Sequence, residues 1–135
     1  MAEGQARYAR NAGAVYSLKF HAVWCPKYRL PVLTSPVDAR LKALLHEIAG
    51  NLDMTVHALE VMPDHVHLFV ESDPRWAPAE IAGRFKANTS RILRDEFPHL
   101  RSRLPTLWSR SYFIASVGAV SEPAIRRYIA AQKGR

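Results

Sequence analysis

Two histidines two residues apart, His65 and His67, stand in a stretch that alternates polar and apolar side chains: Met62-Pro63-Asp64-His65-Val66-His67-Leu68-Phe69-Val70-Glu71. Period-two alternation predicts a β-strand, whose successive side chains point to opposite faces. His65, His67, Phe69 and Glu71 then share one face, and Val66, Leu68 and Val70 share the other. The imidazoles would stand roughly 6–7 Å apart at their bases, twice the strand rise, near enough to converge on one metal ion. A bare His-X-His also occurs as two polar residues decorating an open sheet face. The pair therefore needs partners before it reads as a metal site.

Near the C-terminus, Ile125, Tyr128, Ile129 and Gln132 fall at i, i+3, i+4 and i+7, one stripe of a helix. Tyr128 and Gln132 lie one turn apart and can reach the same point in space. An amphipathic surface helix with a half-buried tyrosine and a rim glutamine has the same spacing. Taken together, two imidazoles and one amide oxygen offer three neutral ligands and leave positions open for substrate oxygens. Phosphate oxygens could complete an octahedral Mg²⁺ or Mn²⁺ shell. Imidazole ligation leans toward Mn²⁺ or softer ions, so composition leaves the metal open. A phenol with a pKa of about 10 is a poor nucleophile at neutral pH. A cation that polarises a phosphate makes its attack easier. In-line attack would leave a covalent phosphotyrosine and a free hydroxyl. No serine or cysteine triad, glycine-rich phosphate loop or paired-cysteine zinc motif competes.

The 135 residues predict one domain with a sizeable core. Nineteen Lys and Arg against twelve Asp and Glu give a net charge of +7, which favours polyanionic partners, nucleic acid first. A solvated basic surface would have the same balance. Lys27-Tyr28-Arg29, Arg84-Phe85-Lys86 and Arg110-Ser111-Tyr112-Phe113 interleave cations with aromatic rings, which suits phosphate contacts beside base-stacking platforms. The chain has no apolar run of the ~18 residues that a membrane span needs, and its polar N-terminus lacks a signal-peptide core. Cys25 is alone, so no internal disulfide can form, and a reducing cytoplasm fits.

The elements that must position these groups follow from periodicity. Val15 to Trp24 alternates as a first strand, with Tyr16, Leu18, Phe20, Ala22 and Trp24 on one face. Pro26 to Leu33 reads as a turn and an extended connection. Ser35 as N-cap, Pro36 and Asp38 predict a helix start, continued by Leu41, Leu44, Leu45 and Ile48 and stopped at Gly50-Asn51. Met54 to Val61 predicts a second strand that turns through Pro63-Asp64 into the histidine strand. Ala79 to Phe97 predicts a second helix, Pro98 to Leu107 a basic loop, and Tyr112 to Val117 a fourth strand. Ser121-Glu122-Pro123 opens the last helix. This order predicts an α+β, ferredoxin-like (RRM-like) antiparallel sheet with helices on one face and a C-terminal helix carrying the nucleophile. The histidines belong on the bare face, because Val66, Leu68 and Val70 must face the core.

Four blocks in this order resemble one family, the small single-tyrosine transposases of the HUH (His-hydrophobe-His) class. These belong to the insertion-sequence group numbered two hundred / six hundred and five. The blocks are His21-Ala22-Val23-Trp24-Cys25-Pro26-Lys27-Tyr28-Arg29, Met62 to His67, Leu107-Trp108 with Ser111 to Gly118, and Tyr128-Ile129-Ala130-Ala131-Gln132. The resemblance covers nearly the whole chain from about Tyr16. It implies cleavage and rejoining of single-stranded DNA at insertion-sequence ends, with subterminal hairpins recognised. Tyr128 would take the 5′-phosphate of the cut strand, and His65, His67 and Gln132 would hold the divalent metal, Mg²⁺ or Mn²⁺. The resemblance further implies a homodimer with composite active sites, and a hinge at Gly118. Lys27, Arg29, Arg84, Lys86 and Arg91 are the expected DNA contacts. Residues 1–14 match no family motif and are expected to be an N-terminal segment, flexible or touching DNA through Arg7, Tyr8 and Arg10, ahead of a single domain at 15–135. Two alternatives stay open. A domesticated relative that processes chromosomal palindromic repeats would carry nearly the same motifs. A non-catalytic nucleic-acid-binding module would use the bare sheet face but would not need the Tyr128/Gln132 spacing.

Overall fold

A computed structural model describes residues 9–11, 14–16, 18–116 and 122–132 of the chain. Strands β1 (Ala9–Asn11) and β2 (Ala14–Tyr16) pair in a small antiparallel ribbon. The main sheet contains β3 (Leu18–Trp24), β4 (Thr55–Met62), β5 (His65–Ser72) and β6 (Phe113–Ser116). Its order is β4-β5-β3-β6, and every neighbouring pair is antiparallel. Helix α1 (Val37–Asn51) joins β3 to β4, and α2 (Pro78–Glu96) with the short α3 (Pro98–Arg103) joins β5 to β6. Helix α4 (Glu122–Ala131) follows. This is the ferredoxin-like α+β arrangement. The single strand expected over Val15 to Trp24 divides instead into β2 and β3, which belong to different sheets. Gly118, the expected hinge, lies outside the described residues.

Burial follows the period of two. Val66, Leu68 and Val70 are fully buried, while His65, His67, Phe69 and Glu71 are half-buried on the other face. The β3 register sets Trp24, Ala22 and Phe20 beside those three core residues. Leu41, Leu44 and Leu45 of α1, with Ile81, Phe85 and Leu93 of α2, close this side. Each such aliphatic or aromatic side chain contributes about 1.5–3 kcal/mol when fully buried.

Three local expectations are corrected. Ser35 does not cap α1: Pro36 holds the N-cap position without a side-chain hydrogen bond, and Asp38 Oδ1 accepts the Ala39 N–H at 2.8 Å. The helix also runs through Gly50 and Asn51, and the left-handed residue beyond it is Asp53, with φ of 56°. Aspartate tolerates that conformation better than most residues do. Finally, the expected basic loop from Pro98 to Leu107 begins as α3. Proline suits a first helical position, and Leu100, Leu104 and Leu107 are buried in the core, which anchors the segment.

That segment is strapped to the end of β3. Lys27 N–H donates to the Leu107 carbonyl at 2.9 Å, and Ser109 N–H to the Cys25 carbonyl at 2.9 Å. Between them, the Trp108 indole stands edge-on to Trp24 (centroids 6.0 Å apart) and donates to Thr89 Oγ1 at 3.0 Å. The Thr89 hydroxyl donates in turn to the Phe85 carbonyl at 2.7 Å. Thr89→Val keeps the shape but strands the buried indole N–H, and should lower unfolding free energy by about 1–3 kcal/mol in urea denaturation. An unchanged midpoint would show that this bond does not hold the strap.

Candidate active site

On the face away from α1 and α2, register sets His67 between Val23 of β3 and Glu60 of β4, and His65 beside Met62. Each histidine has one ring nitrogen tied. His65 Nδ1–H donates to Asp64 Oδ1 at 3.0 Å, which leaves Nε2 as the lone-pair nitrogen. His67 Nε2 and His21 Nδ1 share a hydrogen bond of 3.1 Å, and the His21 ring stacks on Phe69 with centroids 4.6 Å apart. Burial holds the His21 pKa below its ordinary value. Further along the face, His57 Nε2 donates to Glu71 Oε1 at 2.7 Å.

Helix α4 lies on this same face. Val23 and Cys25 point toward it yet are fully buried, and the Tyr128 ring packs 6.0 Å from Phe113, the cross-strand neighbour of Val23. The helix is tied down on both sides of Tyr128. Arg29 Nη1 donates to the Ile129 carbonyl at 3.1 Å. Just past the helix end, Gln132 is buried and its Oε1 accepts two hydroxyls, Ser109 Oγ at 3.0 Å and Ser111 Oγ at 2.7 Å. Lys86 secures the segment that offers those hydroxyls: its ammonium donates to the carbonyls of Ser109, Arg110 and Ser111 at 2.8, 3.2 and 3.2 Å.

The Tyr128 hydroxyl is buried and has no hydrogen-bond partner among the described residues. Burial pushes its pKa up to about 12. The nearby Ser111 hydroxyl pulls the other way and Cys25 adds to the rise. Ser111 is near enough to moderate the shift, although its hydroxyl forms its hydrogen bond with Gln132 and none of adequate geometry with the phenol. A buried hydroxyl without a partner among the described residues is unusual enough to call for an explanation.

Among the described residues, no three His, Cys, Asp or Glu side chains converge in a metal-holding group. His65 and His67 offer two imidazoles on one face of β5. The Gln132 amide oxygen is suited in chemistry, but in this arrangement both serines occupy it.

The expected DNA contacts separate into two sets. Arg29 and Lys86 point inward. Besides its bond to α4, Arg29 Nε pairs with Asp64 Oδ2 at 3.2 Å, and Lys86 is spent on three carbonyls. Lys27 sits 5.3 Å over the Tyr28 ring, and the Arg84 guanidinium 5.3 Å over Trp76, both with room to turn outward. Arg91 is exposed on α2, beside Arg94 and Arg101 in a cleft of about 780 Å³ on the helix layer behind the sheet. Sequence reasoning missed Asp64, His21, Ser109 and Ser111 as supporting groups. Asp64 was visible as the neighbour of His65, and His21 as a residue on the open face of its strand. The serines have no spacing that ties them to Gln132.

The four-stranded antiparallel sheet, with α1 and α2 on one face and α4 on the other, defines a class of small α+β proteins. The chain belongs to the IS200-like transposases, whose family model ("Transposase IS200 like") matches residues 14–132. The ISDra2 transposase TnpA of Deinococcus radiodurans is 36% identical over 125 residues, 91% of this chain and 89% of that protein. The transposase for insertion sequence element IS200 of Salmonella typhimurium is 24% identical over 105 residues, 76% of this chain and 69% of that one. A crystal structure of a Deinococcus radiodurans R1 protein assigned as a transposase aligns with a TM-score of 0.87 at 33% identity, over 94% of this chain and 99% of that one. A REP-associated tyrosine transposase bound to a REP hairpin aligns with a TM-score of 0.50 at 16% identity, over 96% of this chain and 68% of that one, which bears on the fold alone. Membership makes this a transposase, an enzyme that cleaves DNA and transfers strands. No described helix is long and apolar enough to cross a membrane.

The Tyr128 phenol should ionise well above the ordinary tyrosine value. The ultraviolet phenolate titration of metal-free protein, minus that of Tyr128→Phe, should show a transition near 12. A transition near the ordinary value of about 10 would mean that the hydroxyl is solvated. The sign for docking follows: above a pH of about 10 an undocked phenol ionises while a docked one stays neutral, so alkali favours lifting of α4.

Proposed function

We propose that the protein cleaves and rejoins single-stranded DNA at insertion-sequence ends through a covalent 5′-phosphotyrosine at Tyr128. The observation that carries this reading is the seating of the Tyr128 hydroxyl, buried and unpartnered, on the sheet face that bears His65 and His67. The phenolic oxygen attacks the scissile phosphorus, the Oη–P bond forms, and the P–O3′ bond breaks. The phenolic proton is lost, the departing 3′ oxygen takes up a proton, and the 5′-phosphate stays on the enzyme. Rejoining reverses these exchanges with a 3′-hydroxyl from the same or another strand.

His65, through the Nε2 that Asp64 leaves available, and His67 are the residues that would hold a divalent ion, Mg²⁺ or Mn²⁺, with Gln132 as third ligand. Such an ion supplies positive charge at the phosphate and stabilises the leaving oxygen. For Gln132 to take part, its Oε1 must give up at least one serine hydroxyl. The DNA partner is read as a single strand with hairpins, held by Lys27, Arg84 and Arg91 and the net charge of +7. Such a substrate places the enzyme in the cytoplasm. The working unit is read as a homodimer with composite sites. The short edge strand β6 supports this, since one side of its backbone has no strand partner among the described residues.

Incubation with a labelled hairpin oligonucleotide and Mg²⁺ or Mn²⁺ should give a denaturation-resistant protein–DNA adduct, absent in Tyr128→Phe. An adduct that survives in that variant would remove Tyr128 as nucleophile. His65→Ala and His67→Ala should each lose cleavage by about 10²-fold or more, the scale of a lost charge-stabilising group, while gel-shift affinity for the hairpin stays within about threefold. Joint loss of binding and folding would instead make the histidines structural.

A further inference from the structure

We infer that Arg29 is a positioning residue that couples the seat of the tyrosine helix to the His65 imidazole through Asp64. The contacts form one unbroken path. The Ile129 carbonyl, one residue past Tyr128, accepts from Arg29 Nη1 at 3.1 Å. Arg29 Nε meets Asp64 Oδ2 at 3.2 Å, and Asp64 Oδ1 accepts His65 Nδ1–H at 3.0 Å. Both carboxylate oxygens are therefore used, one toward the helix and one toward the imidazole.

Two further observations mark this path as selected rather than incidental. The last turn of α4 carries no basic residue of its own. The negative end of a helix favours a cation, and Arg29 supplies one from β3's following turn. The backbone that aims it is strained, because Tyr28 and Arg29 both have positive φ, 60° and 53°. Successive non-glycine residues rarely adopt that region and persist there only when their surroundings hold them. Here the holding bonds are Arg29 N–H to the Pro26 carbonyl at 2.8 Å and Lys27 N–H to the Leu107 carbonyl at 2.9 Å. Arg29 and Asp64 are only partly exposed, 24% and 31% at their side chains, so their pairing is less screened than a surface ion pair.

With α4 seated, Arg29 is held at both ends, and Asp64 is fixed in the position that orients His65. With α4 lifted, Arg29 loses its anchor, and Asp64 and the His65 ring gain freedom. By reciprocity, fixing His65 must favour the seated helix. A surface tie between helix and turn would have no such dependence. The inference rests on the reading of His65 as a metal ligand beside the Tyr128 helix.

The test uses the full chain in a Gln132→Ala background, which removes any direct bond between α4 and the metal. Mn²⁺ affinity is read by electron paramagnetic resonance, and hydrogen exchange of the α4 amides is read with and without saturating Mn²⁺. In Gln132→Ala alone, Mn²⁺ should slow α4 exchange by about fivefold or more, the lower end of coupling between linked sites. Adding Arg29→Lys, which keeps the charge but replaces the rigid guanidinium fork, whose Nε and Nη1 reach Asp64 and the Ile129 carbonyl separately, with a single donor atom, should abolish that slowing. Asp64→Asn should reduce it by an independent route if the lysine variant folds poorly. Undiminished slowing in folded Arg29→Lys, or none in Gln132→Ala, overturns the inference and leaves the phosphotyrosine reading intact. Failure of wild type to bind Mn²⁺ overturns both the metal reading and the coupling.

Discussion

A slip of one residue between β3 and β5 would turn His65 and His67 into the core and Val66, Leu68 and Val70 into water. The two-residue side-chain period makes such a slip all-or-none. What prevents it is burial: three fully enclosed side chains on β5 meet Trp24, Ala22 and Phe20 in a continuous register from Leu18–Ser72 to Trp24–Val66. The apolar face thus fixes the polar one. Chemistry on the bare side of the sheet is aimed by packing on the far side, and the helices that never touch the histidines are what hold them in place.

Polar ties do the remaining work, and they are concentrated where hydrophobic burial is thin. Helix α4 meets the sheet through Tyr128 and a fringe of hydrogen bonds to Arg29, Ser109 and Ser111. Single bonds of this kind each contribute about 0.5–1.5 kcal/mol net, far less than the closure of the core by α1 and α2. Such a fringe suits the role proposed for Tyr128, which would have to leave its shelter to reach a phosphate, since regions that move in function come from the low-stability end of a structure.

Much of this was legible in the sequence. Alternation in β5 gave the face assignment of both histidines, and helical spacing put Tyr128 and Gln132 one turn apart. The family blocks gave the order. Less legible were relations between residues distant in the chain that share no period. Nothing in the local sequence joins Ser109 or Ser111 to Gln132, or Arg29 to the Ile129 carbonyl. Lys86 and Arg29 read as surface cations because charge alone predicts exposure, whereas backbone carbonyls and a carboxylate satisfy them internally. Helix α3 was missed for a different reason: its prolines and arginines resemble a loop, and only burial of Leu100 distinguishes it.

Cys25 has no part in the chemistry, yet its location has a practical meaning. The chain's one thiol is fully enclosed on the α4 side of the sheet, close enough to Tyr128 to add to the rise in the phenol's pKa. Burial pushes it up to about 12, so the reactive thiolate is withheld while the helix is down. The protein therefore contains its own gauge: the rate at which an alkylating reagent consumes Cys25 reports how often this side of the sheet opens.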